Sequence, residues 1–186
     1  MVNTIRGASR DFDPERMLRA LDEAGVRFVL IGGMAAILHG DVGVTVDVDI
    51  VPEKIGANLE KLASALRGLS ARIRAPGEPD GLRFDCSAAF FASLSPDAIT
   101  NLTTAAGDVD LTFVPSGTRG FADLERGALR VEVADGLTIL VASLEDVIRS
   151  KEAAGRDKDR QALPRLRRLL DRLQREPEED GGGEGS

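Results

Sequence analysis

Tryptophan and tyrosine are absent from this 186-residue chain, and cysteine and histidine occur once each. A lone Cys86 excludes an internal disulfide and any multi-cysteine zinc site, and it fits a reducing compartment, so the cytoplasm is the expected location. His39 is expected to serve structure or capping rather than to act as a base or ligand. Seven phenylalanines are the whole aromatic complement, which makes stacking platforms for bases scarce, and core packing is the expected use of the Phe90–Phe91 pair. No stretch reaches the roughly 18 apolar residues of a membrane span, and residues 1–13 mix charges without an apolar run, so neither a membrane helix nor a signal peptide is expected. Positive charge is also short: 24 Lys and Arg stand against 31 Asp and Glu, a net −7. That balance argues against nonspecific nucleic-acid binding over the whole surface, which depends on neutralising phosphates.

The length suits one α/β domain with a full core and is short for two. Charge is unevenly spread. Residues 149–175 carry ten Lys and Arg against four acids, so a basic C-terminal region follows an acidic remainder. It reads equally as a solvated helix face or as a phosphate-binding one.

Asp13 before Pro14 marks a helix start, and Met17, Leu18, Leu21 and Ala24 repeat at helical spacing until Gly25 stops the run. Residues 26–31 form a short β-branched strand, Gly32-Gly33 breaks it, and residues 34–38 open a helix. After turn residues 40–43, the run 44–51 alternates, with Val46, Val48 and Ile50 on one face and Asp47 and Asp49 on the other. A helix is expected over 54–69. Residues 70–106 are poorly patterned, with short strands expected at 72–74 and 82–84. The run 108–114 alternates again, placing Asp108, Asp110 and Thr112 outward. A short helix over 121–126 and strands over 129–133 and 137–141 follow. Ser143 and Asp146 have capping-box spacing for a helix carrying Lys151, and a last helix holds Leu163 to Leu173, with Pro164 in its first turn or bending it. Residues 176–186 are acidic and glycine-rich, the composition of a disordered tail.

Two carboxylates at i and i+2 on a strand share a face and can grip a hard cation. Such a pair alone is weak evidence of a site at this acidic content. Here a glycine-interrupted strand-to-helix turn precedes it, and a second strand with outward carboxylates follows. Glycines admit a phosphate close to the backbone, a helix N-terminus offers N–H groups, and opposing carboxylates hold metal. Phosphoryl transfer uses that combination.

The stretch Val29-Leu-Ile-Gly32-Gly33-Met34-Ala-Ala-Ile-Leu-His-Gly40, with Thr45-Val-Asp47-Val-Asp49-Ile50, resembles the signature of the DNA polymerase beta-like nucleotidyltransferase superfamily, and within it AbiEii-type toxins. Lys151-Glu-Ala-Ala-Gly-Arg156-Asp-Lys158-Asp159 resembles the helix motif of that group. The resemblance implies that Asp47, Asp49 and Asp110 bind Mg2+ (or Mn2+), with Asp110 assisting the attacking hydroxyl. It also implies that Gly32, Gly33, Met34 and Thr45 line the nucleotide with Lys151, Arg156, Lys158 and Asp159. The same resemblance implies that Lys151 contacts phosphates and that Asp159 orients basic partners. Asp108 is the geometric alternative to Asp110. Two departures stand out: Gly43 occupies a position where many relatives carry Arg, and Gly33-Met34 replaces a Gly-Ser pair.

The expected fold is α/β, a small mixed sheet flanked by helices, with a core over 1–142, a helical extension over 143–175 and the tail. The implied function is transfer of an NMP from an NTP substrate to a hydroxyl acceptor such as RNA or tRNA, in a toxin paired with an antitoxin. An inactive nucleotide-binding regulatory module and an antibiotic-modifying transferase are the alternatives.

Overall fold

A computed structural model describes residues 12–175 of the chain. Asp13 caps the first helix, α1 (Pro14–Glu23), by accepting the Arg16 N–H at 3.0 Å, and Pro14 occupies the first turn where its missing N–H is harmless. Met17, Leu18 and Leu21 are completely or almost completely buried along one stripe of α1, each contributing about 1.5–3 kcal/mol of transfer free energy. Next come β1 (Phe28–Ile31), α2 (Gly32–Leu38), β2 (Asp47–Pro52) and α3 (Gly56–Gly68). The middle supplies β3 (Arg72–Ala75), β4 (Glu78–Leu82), α4 (Ala88–Ser93), β5 (Thr100–Thr104) and β6 (Gly107–Leu111). The chain then forms α5 (Phe121–Leu124), β7 (Leu129–Ala134), β8 (Leu137–Val141), α6 (Leu144–Ala154) and α7 (Asp157–Arg175).

The fold is α/β: one mixed eight-stranded sheet, ordered β4-β3-β5-β6-β2-β1-β8-β7, flanked by helices. At its centre β2 lies antiparallel to β1 and parallel to β6, while β1 lies parallel to β8. Strand alternation gives β2 two different faces. Val48 and Ile50 are fully buried in the core, whereas Asp47 and Asp49 look toward a cavity bordered by α2, α6 and α7. On the apolar side α1, α3 and α4 pack together. Asn58 ties α3 to the sheet: its Oδ1 accepts the Arg27 N–H at 2.7 Å and its Nδ2 donates to the carbonyls of Arg27 and Glu53, at 2.9 Å each.

Several boundaries differ from the sequence pattern. The glycine pair does not break the chain before α2; it forms the first turn of that helix. The alternation from residue 44 is strand only from Asp47, and Val42, Val44 and Val46 are 85, 79 and 56% exposed in an irregular loop. The poorly patterned middle contains α4 and β5, which periodicity missed, and β4 lies upstream of the expected 82–84 run. Strand β6 stops at Leu111, short of residue 114. Helix α7 begins at Asp157, so Pro164 lies inside it rather than in its first turn. Phe91 is fully buried and Phe90 packs against the core beside it, 5.3 Å between ring centroids. No helix among the described residues is long and apolar enough to cross a membrane. The expected tail, 176–186, lies outside the described residues.

Candidate active site

The glycine pair and the Thr-x-Asp-x-Asp stretch interlock. Gly32 has φ +75°, and a Cβ built on it would stand 2.0 Å from Asp49 Oδ2. A Cβ on Gly33 would stand 3.0 Å from Thr45 Oγ1. Each glycine therefore leaves the volume that a side chain of the second stretch takes. Thr45 Oγ1 in turn donates to Asp47 Oδ1 at 2.9 Å, fixing that carboxylate. Gly32 is required on two counts, backbone conformation and the seat of Asp49.

Parallel pairing of β2 with β6 sets Asp47 against Asp108 and Asp49 against Asp110, so all four carboxylates share one face of two adjacent strands. Burial pushes the Asp49 carboxyl up to about 7, and the charges of Asp47 and Asp110 add to the shift, with Lys158 and Lys151 opposing it. Burial also raises Asp110, opposed first by Arg74. Such mutually repelling oxygens lower their energy by sharing a cation, and hard carboxylate oxygens are the donors Mg2+ or Mn2+ takes. The donor set thus fits the metal by chemistry and register. Among the described residues, however, no three acidic side chains already converge on one metal position. Asp110 Oδ1 instead accepts from Arg74 at 2.7 Å, and Asp108 Oδ2 from the same guanidinium at 2.5 Å.

Opposite the carboxylates stand the cations of α6, α7 and the turn between them. Ser143 caps α6 by accepting the Asp146 N–H at 3.1 Å, and Gly155, with φ +59°, ends it. Asp159, on the first turn of α7, is completely buried and takes Lys151 Nζ at 3.1 Å and Arg156 Nε at 2.6 Å. Burial opposes its charge, but the bonds from Arg156 and Lys151 outweigh that and hold the carboxyl below its ordinary range. Asp159 therefore works beneath the cavity, orienting the two cations. Lys151, Arg156 and Lys158 all line the cavity, and among the described residues Lys158 has no direct hydrogen-bond or ion-pair partner there.

The cavity encloses about 510 Å³ and brings together Gly32, Gly33, Thr45, Asp47, Asp49, Asp110, Lys151, Arg156 and Lys158 of the expected set. Met34 and Asp159 are the exceptions: Met34 is fully buried in the core and Asp159 is buried beneath Lys151 and Arg156, and neither is part of the lining. Three lining or bordering residues were missed by sequence reading. Arg165 of α7 forms a two-pronged pair with Asp41, which is 5% exposed, and its Nη2 lies 2.9 Å from where a Cβ of Gly43 would be. A cation thus reaches the Gly43 position from a helix 122 residues downstream, too far for spacing to reveal. Thr112, the next outward residue after Asp110, has a buried hydroxyl with no hydrogen-bond partner among the described residues and also lines the cavity. Arg74 reaches the acids from β3 across β5. Of the basic C-terminal region, Arg149 pairs with Asp123 and Asp146, Arg160 with Asp157 and Arg167 with Glu152, so much of its charge is internally matched. His39 caps α2, with Nε2 2.8 Å from the Ala142 carbonyl oxygen, and Cys86 is buried.

No family model matches the chain, nor does any curated protein by sequence. Solved structures do. A candidate nucleotidyltransferase from Thermotoga maritima is 17% identical with TM-score 0.52, over 86% of this chain and 91% of its own. The antibiotic-resistance factor ANT(2'')-Ia is 16% identical with TM-score 0.53, over 84% and 82%. The lincosamide antibiotic adenylyltransferase LnuA, solved with lincomycin bound, is 13% identical with TM-score 0.53, over 86% and 99%. At such identities the likeness is one of architecture, and the chain has the fold of these nucleotidyltransferases.

Proposed function

We propose that the chain is a magnesium-dependent nucleotidyltransferase that moves an NMP from an NTP to a hydroxyl acceptor and releases pyrophosphate. The observation that carries this reading is the opposition, across one cavity, of Asp47, Asp49 and Asp110 to Lys151, Arg156 and Lys158 beside the Gly32-Gly33 corner. Asp47, Asp49 and Asp110 would hold the metal. When bound, divalent cations neutralise charge on the phosphate oxygens and the attacking hydroxyl. Lys151, Arg156 and Lys158 take the triphosphate and balance the charge of the departing pyrophosphate. Asp110, whose carboxyl is raised by burial, accepts the acceptor's proton as its oxygen bonds to the α-phosphorus and the α–β bridging bond breaks.

The AbiEii-type resemblance makes RNA, such as a tRNA end, the acceptor we favour, within a cytoplasmic toxin controlled by an antitoxin. In that reading residues 1–142 are the transferase core and 143–175 an extension carrying the phosphate-binding cations. A second reading, a small-molecule antibiotic as acceptor, is favoured by the names of two neighbours. A glycine at position 43, where many relatives carry Arg, is what an inactive module would show, and Arg165 weakens that reading by bringing a cation to the same place. Incubation with Mg2+, each labelled NTP and either total RNA or a panel of antibiotics tests all three. Transfer by the wild type and none by Asp47→Ala is expected; equal labelling by both proteins refutes the site, and no labelling by either leaves the inactive module standing.

A further inference from the structure

One guanidinium holds the far edge of the acidic cluster. From β3, Arg74 extends across β5, donating to Asn101 Oδ1 at 3.1 Å on the way, and clasps Asp108 Oδ2 with Nη1 and Asp110 Oδ1 with Nη2. Register explains the reach: Arg72 sits opposite Thr103, Thr103 opposite Asp108 and Asn101 opposite Asp110, so Arg74 stands on the acidic face one strand removed. Its side chain is about a third exposed and Asp110 half as much. Beyond it the same face continues into two shallower depressions bordered by Arg72, Arg74, Thr103, Glu78, Asp80 and Asp108.

We propose that Arg74 is a latched acceptor-binding residue, held on Asp108 and Asp110 until a divalent cation takes Asp110 and then released to bind a phosphate of the acceptor. The inference rests on the transferase reading and adds to it which side the acceptor enters and what it carries. Two unlike cations compete for Asp110, because the guanidinium on its Oδ1 repels a divalent cation brought to the same carboxylate. In-line displacement then fixes direction. Pyrophosphate leaves toward Lys151, Arg156 and Lys158, so the acceptor arrives from the opposite side, over β5 and β3, where Arg74 stands. A planar fork suits a phosphate as well as a carboxylate, which lysine does not match. Glu78 and Asp80 in the outer depressions limit phosphate contact to the neighbourhood of Arg72 and Arg74.

The test uses the full chain and needs no turnover. Mn2+ binding is titrated without nucleotide for wild type, Arg74→Gln, Arg74→Lys and Asp108→Asn. A labelled oligoribonucleotide is then titrated by anisotropy with Mn2+ or with EDTA. Arg74→Gln should bind Mn2+ about tenfold more tightly than wild type, about 1.4 kcal/mol, with Arg74→Lys in between. Wild type should bind the oligonucleotide more tightly by a similar factor with Mn2+ than with EDTA, a gain that Arg74→Gln loses. Asp108→Asn, which loosens the latch and keeps the arginine, should bind it better in EDTA than wild type does. Unlabelled nucleoside monophosphate as competitor separates the sources of the phosphate: competition at matched concentration assigns a small phosphorylated acceptor, and its failure assigns RNA. Mn2+ affinity in Arg74→Gln equal to or below wild type, or an equal Mn2+ gain in both proteins, overturns the proposal. Because both readouts are binding, lack of NMP transfer would count against the transferase reading alone.

Discussion

Replacing Asp49 with Asn isolates the electrostatic cost built into the acidic face. The side chain keeps its shape against Gly32 but loses the charge that burial, Asp47 and Asp110 disfavour. Because the folded carboxyl titrates near 7 rather than the ordinary 3.8, the folded chain holds this proton more tightly than the unfolded one. Stability from this group is therefore complete below the unfolded value and is lost as pH rises toward 7, at about 1.4 kcal/mol per pH unit. Between pH 5 and pH 8 the metal-free wild type should lose roughly 3 kcal/mol relative to Asp49→Asn, an upper figure because the group borders an open cavity. For a chain of this size that corresponds to about 5–10 °C in Tm. Thermal unfolding in EDTA at several pH values reads the difference directly. Mg2+ or Mn2+ should then raise the wild-type Tm at pH 8 and leave Asp49→Asn nearly unmoved. A pH-independent gap between the two proteins, or a variant less stable at pH 8 than wild type, would refute the reasoning.

Gly32→Ala combines a positive φ with a Cβ 2.0 Å from Asp49 Oδ2, so it should destabilise by about 2–4 kcal/mol and abolish transfer, measurable by denaturant unfolding and the labelling assay. Asp159→Ala strands Lys151 without its buried partner and should cost about 3–5 kcal/mol, while raising the apparent KM for NTP. Since the Asp159 carboxyl is held below its ordinary range, its contribution should be present at neutral pH and fade as acid titrates the folded group, so wild type and Asp159→Asn should converge in stability at low pH. Asn58→Ala removes three hydrogen bonds between α3 and the β1 and β2 ends and should lower stability by about 2–4 kcal/mol with little change in KM for NTP.

The local elements were readable where chemistry and periodicity agree. Asp13-Pro14, the stripe from Met17 to Leu21, and Ser143 with Asp146 each act through neighbours three or four residues away, and the structure keeps them. Alternation around Asp47 and Asp110 gave the shared face as well, because a strand turns each side chain over at every step. It could not show that Val42, Val44 and Val46 stay exposed, since an irregular loop and a strand can carry the same alternating letters. Helix α4 and strand β5 are too short and too mixed, with Phe90-Phe91 and Thr-Asn-Leu-Thr-Thr, for a period to emerge. Arg74 and Arg165 were hidden for a different reason. Each acquires its place from partners 34–36 and 124 residues away, and no spacing rule spans such distances.

The Asp41–Arg165 pair has a mechanical consequence. It fastens the exposed 41–46 loop at the cavity mouth to the long closing helix, so the rim is stitched to a segment more than a hundred residues downstream. A chain ended before residue 157 would keep the four carboxylates of β2 and β6 and all eight strands yet lose the anchor of that loop, and a protein gripping α7 would have its hand on the entrance.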